Sequence, residues 1–137
     1  MNISVDKVTA AVTVTVLRLD GDLDASSYEQ LIEAGRKAVD AGAHHVLVDL
    51  RKVPFMGSSG LVAFHTIALL LAGEVPPDLE GGWNAHHAMQ RSVEAGTQTH
   101  LQLLGPAPSV RKALERTGMS RFIPIHEDEA AAIAAFA

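Results

Sequence analysis

The chain has 137 residues, 47% of them hydrophobic and 20% charged, a balance that suits one compact domain with a real core and excludes disorder. Its formal net charge of −5, with no basic run, argues against a nucleic-acid partner, because phosphate backbones are held chiefly by clustered Lys and Arg. Cysteine is absent, so disulfides, thiolate metal sites and cysteine nucleophiles are excluded.

Aromatic residues make up only 4%, which leaves the core to Val, Leu, Ile and Ala. From the N-terminus, NISVDK reads as a short strand, and AVTVTVLRLDG (11–21) as a β-branched strand ending in an Asp-Gly turn. DASSYEQLIEAGRKAVDAG follows with Tyr28, Leu31, Ile32, Ala38 and Val39 at helical spacing. Ser26 and Glu29 have the spacing of a capping box, and Gly42 is placed to end the helix. HVLVDL (45–50) is short and almost continuously apolar, the pattern of a central strand buried on both faces. SSGLVAFHTIALLLAG then reads as a helix that is apolar nearly all round, so its circumference cannot lie wholly in water.

Residues 73–97 form an unusually long connection, with Pro and Gly punctuation before a helix-compatible piece from Asn84 to Ala95. THLQLLG (99–105) reads as a strand and APSVRKALERTG as a helix with Pro108 in its first turn and Gly118 beyond its end. RFIPI (121–125) reads as a short strand that Pro124 confines to a sheet edge, and EDEAAAIAAFA as a last helix opened by acids. Strands alternating with helices imply an α/β domain spanning 1–137, with a mixed, mostly parallel sheet of about five strands flanked by about four helices. The first two strands are free to pair antiparallel. MNISVDKVTA lacks the basic start and apolar segment of a signal peptide. The apolar run Leu61–Ala72 is broken by His65 and Thr66 and is shorter than the roughly 20 residues of a membrane span. A cytoplasmic protein without membrane insertion is expected.

The segment PFMGSSGLVAFH (54–65) places two serines between two glycines, directly ahead of an apolar helix. Ser58 or Ser59 could act as an N-cap. Alternatively, a phosphate on Ser58 would meet free N–H groups and the positive end of the helix dipole, so the fold would tolerate it. A partner packed flat on that surface would instead face a charge of about −2. Gly-Ser-Ser-Gly is not the G-x-S-x-G of a nucleophile elbow, and no lysine makes it a P-loop. No base is visibly paired with either serine and no carboxylates are spaced for catalysis, so no catalytic residue is assigned and an enzyme is not expected.

Three stretches together, LRLDGDLDASSYEQL, HVLVDLRKVPFMGSSGLVAFHTI and LLGPAPSVRKALERTGMSRFIPI, resemble the STAS domain, and among STAS proteins the bacterial anti-sigma-factor antagonists. Gly21, Asp22, Leu23 and Asp24 match the family's G-x-L-D entry to the first helix, and the segment after the central strand matches its D-S-S-G, except that Gly57 stands where the family has the acid. The resemblance implies partner switching. The unphosphorylated antagonist would bind an anti-sigma factor that is also a GHKL-type serine kinase, through a surface of Asp22, Asp24, Met56, Gly57, Ser58, Ser59, Gly60 and Leu61. Phosphorylation at Ser58, with Ser59 the second choice, would break that complex, and a PP2C-type phosphatase would restore it. Family members that bind constitutively supply the alternative: a non-phosphorylated scaffold of a stress-signalling complex, or a subunit of a lipid ABC transporter, with Ser58 mainly a cap. A monomer or weak homodimer is expected, with no cofactor.

Seven histidines invite a metal reading. His44–His45 and His86–His87 are adjacent pairs, which diverge on either a strand or a helix, and His65, His100 and His126 are scattered. No HExxH occurs, so solvated or capping histidines are expected and no metal site is assigned. Trp83 in the long connection is read as part of a satellite core, with a docking anchor as the alternative.

Overall fold

A computed structural model describes residues 1–74 and 83–136, without the side chains of 83–87. Five strands form one sheet in the order β1-β2-β3-β4-β5: β1 (Asn2–Thr9), β2 (Thr13–Asp20), β3 (Val46–Lys52), β4 (Leu101–Leu104) and β5 (Ile125–His126). The first two pair antiparallel from Asn2–Asp20 to Thr9–Thr13, and every later neighbour pairs parallel. Among the described residues there are six helices: α1 (Tyr28–Asp40), α2 (Ser58–Leu71), α3 (Trp83–Ala95), α4 (Pro108–Arg116), α5 (Met119–Phe122) and α6 (Glu129–Ala134). The mostly parallel mixed sheet is as expected from the sequence; the helices outnumber the four expected.

One additional helix is α3, the helix-compatible part of the long connection. The other is a correction. The segment read as the strand RFIPI is divided between α5 and the two-residue β5. Gly118, at φ +81°, ends α4 and turns the chain straight into a short helical turn that buries Met119 and Phe122. The chain reaches the sheet only at Pro124, whose carbonyl accepts the Leu103 N–H at 3.0 Å, and the next two residues form an edge strand beside β4.

Strand alternation divides the sheet into two unlike faces. Leu17 and Leu19 of β2, Val46, Val48 and Leu50 of β3, and Leu101 and Leu103 of β4 form the larger core with residues of α1 to α5. On the opposite face Val14, Val16, Leu47 and Leu104 meet Ala132, Ile133 and Phe136 at the C-terminal end of the chain. At the other end of that face Arg18 donates to Asp49 at 3.0 Å and Glu129 at 2.6 Å, and Arg51 donates to Asp49 at 2.9 Å and Glu129 at 3.2 Å. Asp128 caps α6 by accepting the Ala131 N–H at 2.9 Å, and Glu127 pairs with Arg111. The C-terminal acids thus do more than complement a helix dipole.

The glycine stop of α1 is where the sequence puts it, whereas two contacts between helices, at Gly35 and His65, were not legible there. Gly42, at φ +96°, ends α1 in a Schellman arrangement, its N–H reaching the Val39 carbonyl at 2.9 Å and the Ala43 N–H the Ala38 carbonyl at 3.0 Å. Gly35, in the middle of α1, lies against α2: a Cβ added there would stand 2.6 Å from Cγ1 and 2.9 Å from Cδ1 of Ile67. His65 of α2 is only 1% exposed, against the expectation of solvated or capping histidines, with Nε2 2.8 Å from the Ser92 hydroxyl of α3. Residues 75–82 and the side chains of Trp83, His86 and His87 lie outside the described residues, and with them the two readings of Trp83.

Two measurements follow from these contacts. Gly35→Ala gains helix propensity but overpacks Ile67, and the second effect should win, costing about 1–3 kcal/mol in urea unfolding. Burial lowers the His65 pKa from 6.5 to about 4. Between those values the unfolded chain binds the extra proton, so stability should fall as pH drops from 6.5 towards 4, by at most about 1.4 kcal/mol per pH unit from this group. In His65→Gln that part of the slope should disappear from unfolding curves taken across the window.

Candidate functional site

Because β2 and β3 run parallel, the chain leaves both at the same edge of the sheet, where sites of open α/β sheets lie. The two departing loops are joined by backbone hydrogen bonds. Gly21, at φ +127°, turns the chain out of β2, and its N–H reaches the Lys52 carbonyl at 3.1 Å. The Leu23 N–H then donates to the Phe55 carbonyl at 2.9 Å and the Gly57 N–H to the Leu23 carbonyl at 2.8 Å, an isolated parallel bridge between Leu23 and Met56. Both of these side chains are buried.

The first loop is held by its own side chains. Asp24 accepts the Ser26 N–H at 2.9 Å and the Ser26 hydroxyl at 2.6 Å, and the Ser27 hydroxyl donates to the Asp22 carbonyl at 2.7 Å. These bonds from Ser26 hold the Asp24 carboxyl below its ordinary range. The Ser26–Glu29 capping box is therefore not formed; the helix starts at Tyr28, after Ser27. The reason is register: Ser27, not Ser26, holds the N-cap, so the Ser26 hydroxyl lies one residue outside the helix and turns back to the Asp24 carboxylate.

The second loop leads into α2 through Gly57, which occupies the N-cap with extended backbone at φ −88° and ψ 177°. Ser58 and Ser59 are thus the first and second residues of the helix, and neither caps it. The Gly57 carbonyl accepts the Gly60 N–H at 3.0 Å. The Ser58 side chain is exposed and Ser59 half-buried, at the N-terminal end of a helix of 14 residues, where amide donors and the dipole favour negative charge.

Asp22 is exposed and Asp24 and Gly57 are half-buried, so these three join the two serines at the surface. Met56, Gly60 and Leu61, expected on the partner surface, are buried instead: they support the surface from below. Gly60 permits this, because a Cβ there would come within 2.6 Å of Cγ of Met56 and 3.0 Å of Cδ2 of Leu23. At Gly57 the same addition would meet only ordinary contacts, 3.9 Å from the Asp24 Cα and from Phe55 Cε1.

The residue that sequence reasoning missed is Phe55, whose ring is 54% exposed beside the serines. Its signal was the loop position: it follows Pro54 after the end of β3, between the buried Val53 and Met56. Among the described residues no three metal-ligating side chains converge, and no helix is long and apolar enough to cross a membrane.

Residues 5–72, which contain both loops and the whole of α2, match the family described as the STAS domain. No curated protein sequence matches the chain. Several solved structures share its fold. An anti-sigma factor antagonist from Mycobacterium paratuberculosis is 19% identical, with a TM-score of 0.65, over 98% of this chain and 94% of that one. The phosphorylated form of the Bacillus cell fate determinant SpoIIAA is 22% identical, with a TM-score of 0.53, over 97% of each chain. A STAS-domain anti-sigma-factor antagonist from Planctomyces limnophilus is 21% identical, with a TM-score of 0.59, over 97% of this chain and 98% of that one.

The two glycines of the serine segment should respond oppositely to substitution. Gly60→Ala must displace Met56 and Leu23 and should cost about 1–3 kcal/mol. Gly57→Asp has room and supplies a better N-cap, so it should be neutral or stabilising by roughly a few tenths of a kcal/mol. Urea midpoints of the two variants against the wild type check both expectations.

Proposed function

We propose that this chain, which belongs to the STAS-domain family, is an anti-sigma-factor antagonist that binds an anti-sigma factor kinase and is released by phosphorylation of Ser58. The observation that carries this reading is the placement of Ser58: an exposed hydroxyl at the first position of α2, left free because Gly57 holds the N-cap. A kinase can reach such a hydroxyl without unfolding the helix. The phosphate it leaves would lie near unpaired amide donors, which keeps the modified chain folded.

The same position makes the modification effective. The loops that lead to Ser58 carry the exposed Phe55 and the carboxyl groups of Asp22 and Asp24, and Phe55 and Asp24 both approach Gly57, the residue before it. An aromatic side chain of this exposure is suited to fill a partner's pocket. A dianionic group placed beside it would have to be desolvated in the bound state, and it would add to the charge of Asp22 and Asp24 already there. Binding is therefore lost through local repulsion and desolvation while the antagonist stays folded. The structural neighbours, an anti-sigma factor antagonist and SpoIIAA in a phosphorylated form among them, support the same reading.

Parallel affinity captures from native-host lysate, with wild type and Ser58→Asp as baits, test the switch. A GHKL-type kinase held by wild type and lost by Ser58→Asp is the expected result. A partner retained equally by both would overturn the phosphoswitch and favour a constitutive scaffold or transporter subunit. With the captured kinase purified, Phe55→Ala should weaken binding at least tenfold by calorimetry while leaving the urea midpoint within error.

A further inference from the structure

A large concavity lies away from the serines, towards the C-terminal end of α1. It is a groove of about 820 Å³ between the β1–β2 hairpin and the outer face of α1, within the roughly 300–1,000 Å³ range of small-molecule sites. The register of the hairpin explains why it is there. Ile3, Val5 and Lys7 stand opposite Leu19, Leu17 and Thr15, so they face the same side of the sheet as the main core. Beyond the reach of α1, no helix among the described residues packs on that side of β1, and Val5 is 56% exposed. The opposing wall is lined by Ala34 and Ala38, whose short side chains leave the space open.

The charge at its rim is selective. Apart from imidazoles and neutral polar groups, the lining carries Lys7, Lys37 and Glu33. Glu33 has its own counter-ion in Arg36, one turn away at 3.8 Å. Neither lysine has an ion-pair partner among the described residues, and both are exposed, one on each wall. An apolar trough with two uncompensated cations is an unexpected feature on a chain whose net charge is −5.

We propose that this groove binds a free single-chain amphiphilic anion, a fatty-acid-like molecule whose acyl chain lies between Val5 and Ala38 and whose head group is held by Lys7 and Lys37. Burying the chain removes the exposed apolar area of β1, and the chain itself, from water. The head group supplies the negative charge that the two ammonium groups lack. An uncharged chain would gain only the first of these contributions, and an inorganic anion only the second.

Calorimetric titration with dodecanoate below its micelle concentration tests the assignment, with dodecanol as the uncharged arm and phosphatidylglycerol vesicles as the bilayer arm. Saturable one-to-one binding of dodecanoate is expected, with dodecanol at least tenfold weaker. The double variant Lys7→Glu, Lys37→Glu, at two exposed positions, should weaken dodecanoate at least tenfold with an unchanged urea midpoint. Ala38→Trp, which fills the trough, should abolish binding. Equal affinity for dodecanol, indifference to the charge reversal, binding to vesicles in preference to the free acid, or a concentration-dependent dimer whose formation Val5→Asp abolishes, would each overturn the proposal.

Discussion

The pairing of Leu23 with Met56 is the contact on which the serine site rests. Two backbone hydrogen bonds, at 2.9 and 2.8 Å, fasten the loop after β2 to the loop after β3. A buried backbone group left without a partner costs about 1–3 kcal/mol, so either loop moving alone would be penalised twice. The bridge also sets the start of α2, since Gly57 is both the last residue of the pairing and the N-cap of the helix. Gly60 then lets the first turn of α2 settle over Met56 and Leu23 without displacing them. The position of Ser58 follows from these constraints, not from any bond made by its own side chain.

The other face of the sheet solves a different problem. Asp49 lies in the central strand at 6% exposure, where burial alone would push its carboxyl up. Hydrogen bonds from the Arg51 side chain and N–H, joined by Arg18, outweigh that burial and bring it below its ordinary value. Arg18 and Arg51 extend to Glu129, so the cluster that compensates Asp49 also docks the start of α6. Its net contribution to stability is modest, but losing one member would leave the others part-buried and uncompensated. The cluster fixes where α6 begins, and the apolar contacts of Ile133 and Phe136 hold its other end.

Much of this was legible in the sequence because it rests on local signals. The alternation of β2, the continuous apolar run of β3, and the stripe and glycine stop of α1 each report a period or a terminus. What was not legible depends on partners distant in the chain. Ser26 was read as a cap from its spacing to Glu29, which does not show that the helix begins one residue later, after Ser27. Met56 and Leu61 were placed on the partner surface by the resemblance; Met56 is buried in the bridge with Leu23, and Leu61 is buried on the inner side of α2. Gly35 reads as a weak point in a helix, and only the proximity of Ile67 shows it as a contact. Phe55 is the converse: the sequence shows an apolar residue, and only the fold shows that neither core claims it. The strand read at RFIPI failed because Gly118 reverses the chain early enough for Met119 and Phe122 to be buried by a helical turn.

Gly57 bears on how the serine site differs from its relatives. An acid at this position would cap α2 and place a carboxylate next to Ser58, a stabilising arrangement for the helix but a repulsive one for a phosphate. Glycine gives up the side-chain cap and that charge, while its extended backbone at φ −88° needs no special conformational freedom. The first-turn amides consequently have no side-chain competitor within the chain, and a phosphate on Ser58 would be their first anionic partner. Glycine in place of an acid thus weakens the resting helix slightly, and under the proposed phosphorylation of Ser58 it would strengthen the contrast between the free and the modified serine. Selection of a kinase would then rest more on the exposed ring of Phe55 and on Asp22 and Asp24 than on the residue immediately before the serine.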